Sequence, residues 1–226
     1  MTDGYVTPCR YRKVLRAVGS TGEYEVVSEI MMMDKILFIN ACVRPGSRTL
    51  ELTKTLLQGL KGDVLQVCLH EMPLSSLDLC GMEKRNQAAR KKDFSDSVFD
   101  AAKQFADADI IVIAAPYWDL MFPAVLKTYL ENITVSGITF YYSEQGRPQS
   151  LCKARKLYYV TTAGGFIGQN DFGFSYVKAL AQGFFGIQEL HRYAAEGLDV
   201  LDADVETIMH QAKQNIVSDL QEYTVS

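Results

Sequence analysis

Lys35-Ile-Leu-Phe-Ile-Asn-Ala-Cys-Val-Arg-Pro-Gly-Ser-Arg-Thr49 is the stretch that decides the fold. Its apolar run, Ile36 to Ile39, reads as a strand buried on both faces, as in a parallel sheet. A short loop follows, and Leu50, Leu52, Leu56, Leu57 and Leu60 then recur among polar residues as an amphipathic helix from Ser47 to about Lys61. Strand, hydroxyl- and arginine-bearing turn, helix is how α/β proteins hold an anion. The first N–H groups of the helix and the positive end of its dipole face the ligand. Ser47 and Thr49 add hydroxyl donors, and Arg44 and Arg48 can add charge-assisted bonds. There is no Walker lysine and no G-x-G-x-x-G here, which argues against an NTPase and against the dinucleotide fingerprint. A phosphate monoester such as that of FMN is the best remaining candidate. Taken alone, the same residues fit a plain Ser47 helix cap with two solvated arginines equally well, so the other loops must decide.

Strand and helix patterns alternate outward from this stretch. Asp63 to Leu69 reads as a second strand after the Gly62 break. His70 to Lys92 reads as loop with at most a short helix, and Asp93 as the cap of a helix carrying Phe94, Val98, Ala101, Ala102 and Phe105. Ala108 to Pro116 holds Ile110-Ile-Val-Ile113, the most apolar strand and the expected centre of the sheet. Pro123 opens a helix with Val125, Leu126, Tyr129, Leu130 and Ile133 on one face. Lys156 to Thr162, a helix over Phe174 to Phe185, Ile187 to Ala195 and a closing helix from about Asp204 complete the pattern. This alternation predicts an α/β fold: a flavodoxin-like, five-stranded parallel sheet of order 2-1-3-4-5 with helices on both faces. Ligands of such sheets bind at the carboxyl ends of the strands, beside the first and third.

Residues 1–34 stand outside this pattern: they read either as an N-terminal extension or, the favoured expectation, as sequence ahead of a natural start at one of Met31, Met32 or Met33. Residues 35–226 are then the domain that matters. A net charge of −4 gives no basic field for nucleic acid. No apolar stretch approaches the roughly 20 residues that span a bilayer, and no signal peptide is evident. Five cysteines, odd in number and without a C-x-x-C pair, give no zinc site or disulfide framework. The expectation is a reduced, cytoplasmic protein. His70, His191 and His210 are dispersed and read as structural or solvated.

The loops after the third and fourth strands supply the deciding signals. Pro116-Tyr-Trp-Asp-Leu-Met-Phe-Pro123 carries the chain's only tryptophan in a loop, where small polar residues are the rule. A flat heteroaromatic ligand would explain that cluster by stacking, and Asp119 with nearby N–H groups would meet its polar edge. The alternative is a hydrophobic plug or a subunit contact. Thr161-Thr-Ala-Gly-Gly-Phe-Ile-Gly168 lets the backbone approach a ligand closely. Each loop is explicable as an ordinary turn; three of ligand-binding type, all at carboxyl ends, are not.

These residues resemble the FMN-dependent NADH-azoreductase and quinone-reductase family of flavodoxin-fold enzymes. The resemblance runs from Lys35 to the C-terminus. It is carried by Ala115-Pro-Tyr-Trp-Asp-Leu-Met-Phe-Pro-Ala-Val-Leu-Lys127, Ser136-Gly-Ile-Thr-Phe-Tyr-Tyr-Ser-Glu-Gln-Gly146, Thr161-Thr-Ala-Gly-Gly165 and Ala194-Ala-Glu-Gly197. It implies that Ser47, Arg48 and Thr49 hold the FMN phosphate, with Cys42 where the family often has serine and Arg44 contributing. Pro116, Tyr117, Trp118, Asp119 and Leu120 would border the ring and ribityl chain, and Thr162, Ala163, Gly164 and Gly165 its polar edge. Phe140, Tyr142 and Phe166 would face the substrate, in a homodimer with flavins near the subunit interface. Three departures stand out: Asp119 replaces the usual Asn, Trp118 replaces Tyr, and Leu120 replaces Phe.

The activity that follows from the resemblance is ping-pong, two-electron hydride transfer from NADH or NADPH through FMN to a quinone or azo compound. No catalytic side chain and no metal is required. A flavin reductase that releases FMN and a non-catalytic flavin-binding module are the alternatives. A serine hydrolase is disfavoured because no G-x-S-x-G elbow is present.

Overall fold

The computed structural model describes residues 10–18, 23–31 and 33–225, with the first two stretches and residues 222–225 given by their backbone alone. Two compact units are separated between Asp34 and Lys35. The first contains an antiparallel pair, β1 (Arg10–Val18) and β2 (Glu23–Met31). The expectation for residues 1–34 included no regular element. The register sets Arg12 opposite Glu29 and Arg16 opposite Glu25. Cys9 and the proposed start at Met32 lie outside the described residues.

The second unit is the α/β domain. Its strands β3 (Lys35–Asn40), β4 (Asp63–Cys68), β5 (Ile110–Ala114), β8 (Lys156–Thr162) and β9 (Glu189–Ala195) form one parallel sheet of order β4-β3-β5-β8-β9. This is the predicted order, with Ile110–Ala114 central and buried along its whole length. A small hairpin, β6 (Phe140–Tyr142) and β7 (Pro148–Ser150), accounts for the aromatic segment before β8.

Alternation along β3 explains the layers. Leu37 and Ile39 point into one core with α3 (Asp100–Asp107), α4 (Ala124–Ile133) and α5 (Phe172–Gly183). Ile36 and Phe38 point into the other, beneath α1 (Arg48–Gly59) and α6 (Val205–Val225). Burial on both faces is why the strand sequence is continuously apolar rather than alternating. A side chain such as Phe38 or Ile39, fully removed from water, contributes about 1.5–3 kcal/mol.

Two boundaries differ from the sequence reading. Leu79–Lys91 is a full helix, α2, capped by Asp78, which accepts from the Gly81 N–H at 2.8 Å. Only Ala88 of this helix is buried, so no apolar stripe announced it. Asp93 caps no helix: its carboxylate accepts from Ser95, Asp96 caps a 3-10 turn over Ser97–Phe99, and α3 begins only at Asp100. Arg85 on α2 donates to the carbonyls of Glu131 and Asn132, each at 2.9 Å, and so satisfies the exposed end of α4.

No helix among the described residues is long and apolar enough to cross a membrane. Cys42, Cys68, Cys80 and Cys152 are free thiols, and no group of metal-binding side chains occurs among the described residues.

Candidate flavin site

The phosphate-type loop turns at Gly46, whose φ of 70° is open to glycine without strain. Ser47 then starts α1. Its hydroxyl accepts from the Leu50 N–H at 3.4 Å, and its carbonyl accepts from Glu51 at 3.0 Å. That leaves the Arg48 and Thr49 N–H groups without an acceptor among the described residues, at the positive end of the helix. Ser47 is both helix cap and cavity wall, so the two readings of this loop are compatible.

The Thr49 side chain does something the sequence did not signal. It is fully buried, and its hydroxyl meets that of Thr162 at 2.6 Å, joining the start of α1 to the last residue of β8. Cys42 lies behind the loop. Its N–H donates to Asn40 Oδ1 at 2.9 Å, and burial pushes its thiol up against weaker opposing bonds from Ser47 and Leu50. It supports the loop from below and does not line the cavity.

The loop after β5 is anchored at Tyr117, through both backbone and side chain. The Tyr117 N–H donates to the Thr162 carbonyl at 3.0 Å, and the Tyr117 hydroxyl donates to the Asn170 carbonyl at 3.0 Å. Desolvation, then the nearby carboxylates of Asp171 and Glu196, push that phenol up, so it keeps its proton. Trp118 and Met121 exchange N–H to carbonyl bonds at 2.8 Å around a two-residue turn. Asp119 and Leu120 occupy its centre with φ of 50° and 69°, a geometry usually given to Asn-Gly.

The loop after β8 is held by the loop after β9. Gly197, Leu198 and Asp199 donate their N–H groups to the carbonyls of Gly165, Ala163 and Gly164, at 2.9, 3.2 and 2.8 Å. The Gly164 and Gly165 N–H groups have no partner among the described residues. A Cβ on Gly164 would stand 2.4 Å from Asp199 Oδ2, so any other residue here requires the Asp199 side chain to shift. Behind it, Arg192 donates to Asp171 at 2.6 Å and to Glu196 at 3.0 Å, and Glu196 accepts from the Ile167 N–H at 2.9 Å.

These loops enclose one cavity of about 320 Å³. Arg44, Ser47, Arg48, Thr49, Pro116, Tyr117, Trp118, Thr162, Ala163 and Gly164 all line it. Asp119, Leu120 and Gly165 do not. Neither do Phe140, Tyr142 and Phe166: Phe140 is buried against Phe184 with ring centroids 5.0 Å apart, whereas the Phe166 ring is 77% exposed. Leu198 and Asp199 are walls that the sequence reading did not propose. The Ala194-Ala-Glu-Gly197 stretch just ahead of them was the available signal. The donor set suits a phosphorylated aromatic ligand: N–H groups at the start of α1 and at Gly164, two arginines and an aromatic wall line one cavity.

Comparison with known proteins agrees. A family profile described as a flavodoxin-like fold matches residues 34–220. An FMN-dependent NADH:quinone oxidoreductase of Lachnoclostridium phytofermentans is 34% identical over 194 residues, 80% of this chain and 96% of that one. A second protein of that name from Clostridium acetobutylicum is 32% identical over 205 residues, 84% of this chain and 100% of its own. Among solved structures, an azoreductase of Bacillus anthracis superposes with a TM-score of 0.71 at 23% identity, covering 84% of this chain and 100% of that chain. A B. anthracis FMN-dependent NADH-azoreductase in complex with FMN gives 0.70 at 21% identity, with 84% and 99% covered. At that identity the structural likeness speaks for the fold. Taken with the sequence relatives, it makes this chain a member of the flavodoxin-like family that includes the FMN-dependent NADH:quinone oxidoreductases.

Proposed function

We propose that the chain is an FMN-dependent NAD(P)H oxidoreductase that reduces quinones, azo compounds or both by two-electron, ping-pong transfer. The observation that carries this reading is the convergence of Ser47, Trp118 and Gly164, from three loops distant in sequence, on one cavity. The names of the relatives add FMN, NADH and a quinone.

In this reading the binding domain is the unit from Lys35 onward. The Arg48 and Thr49 N–H groups, the Ser47 hydroxyl and the guanidinium groups of Arg44 and Arg48 hold the phosphate. Pro116, Tyr117 and Trp118 border the isoalloxazine, and the Gly164 and Gly165 N–H groups meet its polar edge. Bound FMN supplies hydride acceptance and donation. The protein orients the ring and excludes water from one of its faces, and Tyr117, bonded to the Thr162 and Asn170 carbonyls, fixes the aromatic loop. Phe140 is enclosed by its own chain, whereas Tyr142 and Phe166 are exposed and stand outside the cavity. We therefore read the active form as a homodimer in which the exposed Tyr142 and Phe166 of one protomer approach its partner's cavity.

Steady-state oxidation of NADH by the FMN-loaded protein with benzoquinone as acceptor tests the reading. Parallel double-reciprocal lines are expected. Protein that binds FMN yet does not turn over would leave a non-catalytic flavin module.

A further inference from the structure

We propose that Asp199 is a positioning residue for phosphate recognition. It holds the Arg48 guanidinium at the cavity wall and so sets the preference for a phosphorylated over an unphosphorylated isoalloxazine ligand. The inference rests on the flavin-binding reading above.

Arg48 is the first residue of α1, a position from which a long side chain ordinarily extends into solvent. Here Arg48 Nη1 donates to Asp199 Oδ1 at 2.8 Å and lies 3.5 Å from the Leu198 carbonyl. The aspartate backbone is fixed. Its N–H donates to the Gly164 carbonyl at 2.8 Å, and the lack of a Cβ on Gly164 leaves the room that its Oδ2 occupies. The glycine therefore admits the carboxylate, the carboxylate holds the guanidinium, and all three residues line the same cavity. Among the described residues no hydrogen bond occupies Arg48 Nε or Nη2, so the guanidinium is anchored by one nitrogen with further donors available to an ester phosphate.

The pair is open to solvent, at 41% and 68% side-chain exposure. Exposed pairs of this kind add little to stability. What the contact does is orient: an arginine already held in place loses less rotamer freedom when the ligand arrives. The opposing effect is repulsion between the carboxylate and the phosphate, and the sign of one substitution separates the two.

Fluorescence titrations of FMN and riboflavin with the wild-type protein, Asp199→Asn, Arg48→Ala and the double variant provide the test. Asp199→Asn keeps the backbone bond to Gly164 and removes the charge that holds Arg48. It is expected to weaken FMN binding by about three- to tenfold, the equivalent of one side chain's ordering. Riboflavin affinity and the thermal unfolding midpoint should not move. In the Arg48→Ala background the same change should have no further effect on FMN. Tighter or unchanged FMN binding by Asp199→Asn, an equal loss for riboflavin, or full additivity with Arg48→Ala would overturn the assignment. Wild-type protein that binds neither flavin overturns the underlying reading instead.

Discussion

The hydroxyls of Thr49 and Thr162 meet at 2.6 Å inside the protein, and through that contact the first turn of α1 is fixed to the carboxyl end of β8. The phosphate-type loop and the glycine loop are thereby held at a set separation before any ligand arrives. Thr53 extends the tie by donating to the Thr49 carbonyl at 2.7 Å. Replacing either Thr49 or Thr162 with Val leaves the other hydroxyl buried and lacking this partner, which should lower stability by about 1–3 kcal/mol. The double replacement should be less harmful than the sum of the single ones, because neither polar group then remains. Urea unfolding of the three variants measures this.

Leu120 sits at φ 69° in the turn between Trp118 and Met121, and its side chain is half exposed. A left-handed leucine is held there by the two flanking bonds at a local penalty of about 1–2 kcal/mol. Leu120→Gly should therefore leave stability within roughly 0.5 kcal/mol of wild type, since relief of strain offsets the freer unfolded chain. Leu120→Val, β-branched in the same conformation, should destabilise by at least about 1 kcal/mol. Thermal unfolding of the two variants distinguishes this account from one in which the leucine side chain packs.

Arg192 bridges Asp171, the cap of α5, and Glu196, which accepts from the Ile167 N–H. Its nitrogens Nε and Nη2 act at once, a two-pronged geometry that lysine cannot copy. Arg192→Lys and Arg192→Met should both free the loop over residues 163–172. Hydrogen exchange at the Ile167 amide should accelerate in both variants, while amides of the buried β5 strand should stay protected. Equal protection of Ile167 in the lysine variant would contradict the two-pronged role.

Asp107 lies between Lys35 and Lys153, whose side-chain bonds hold its carboxyl below the usual carboxylate value. A folded value below the unfolded one means that the unfolded chain takes up the proton first. The contribution is therefore present above about pH 4 and is lost as the pH falls through the depressed folded value. Asp107→Asn should flatten this acid limb of the stability curve while altering stability at pH 7 only modestly, since all three groups are exposed. Unfolding midpoints from pH 3 to 7 for the two proteins would show it.

The sheet order was legible because β3 and β5 are buried on both faces and carry unbroken apolar sequences. The rim of the cavity was legible where loops carry unusual residues: Arg48 beside Ser47, Trp118 in a loop, Gly164 beside Gly165. Helix α2 was not, because a surface helix that buries only Ala88 has no apolar face to leave a period in the sequence. Leu198 and Asp199 were missed for a different reason. An ordinary Leu-Asp pair becomes a cavity wall only when β9 pairs with β8 and its following loop folds back onto Gly164, a tertiary event that the pair itself does not signal and that only the preceding Ala194-Ala-Glu-Gly197 stretch pointed to. The aromatic residues Phe140, Tyr142 and Phe166, carried by resemblance alone, do not line the cavity of a single chain, and neither do Cys42, Asp119, Leu120 and Gly165.

The central claim is that one rim of this sheet holds FMN, and a crystal structure of the protein grown with FMN tests it most directly. The account predicts the phosphate at the N–H groups of Arg48 and Thr49, the isoalloxazine beside Trp118, and its polar edge at Gly164 and Gly165. Flavin bound on another surface, or crystals that remain colourless at saturating FMN, would contradict it.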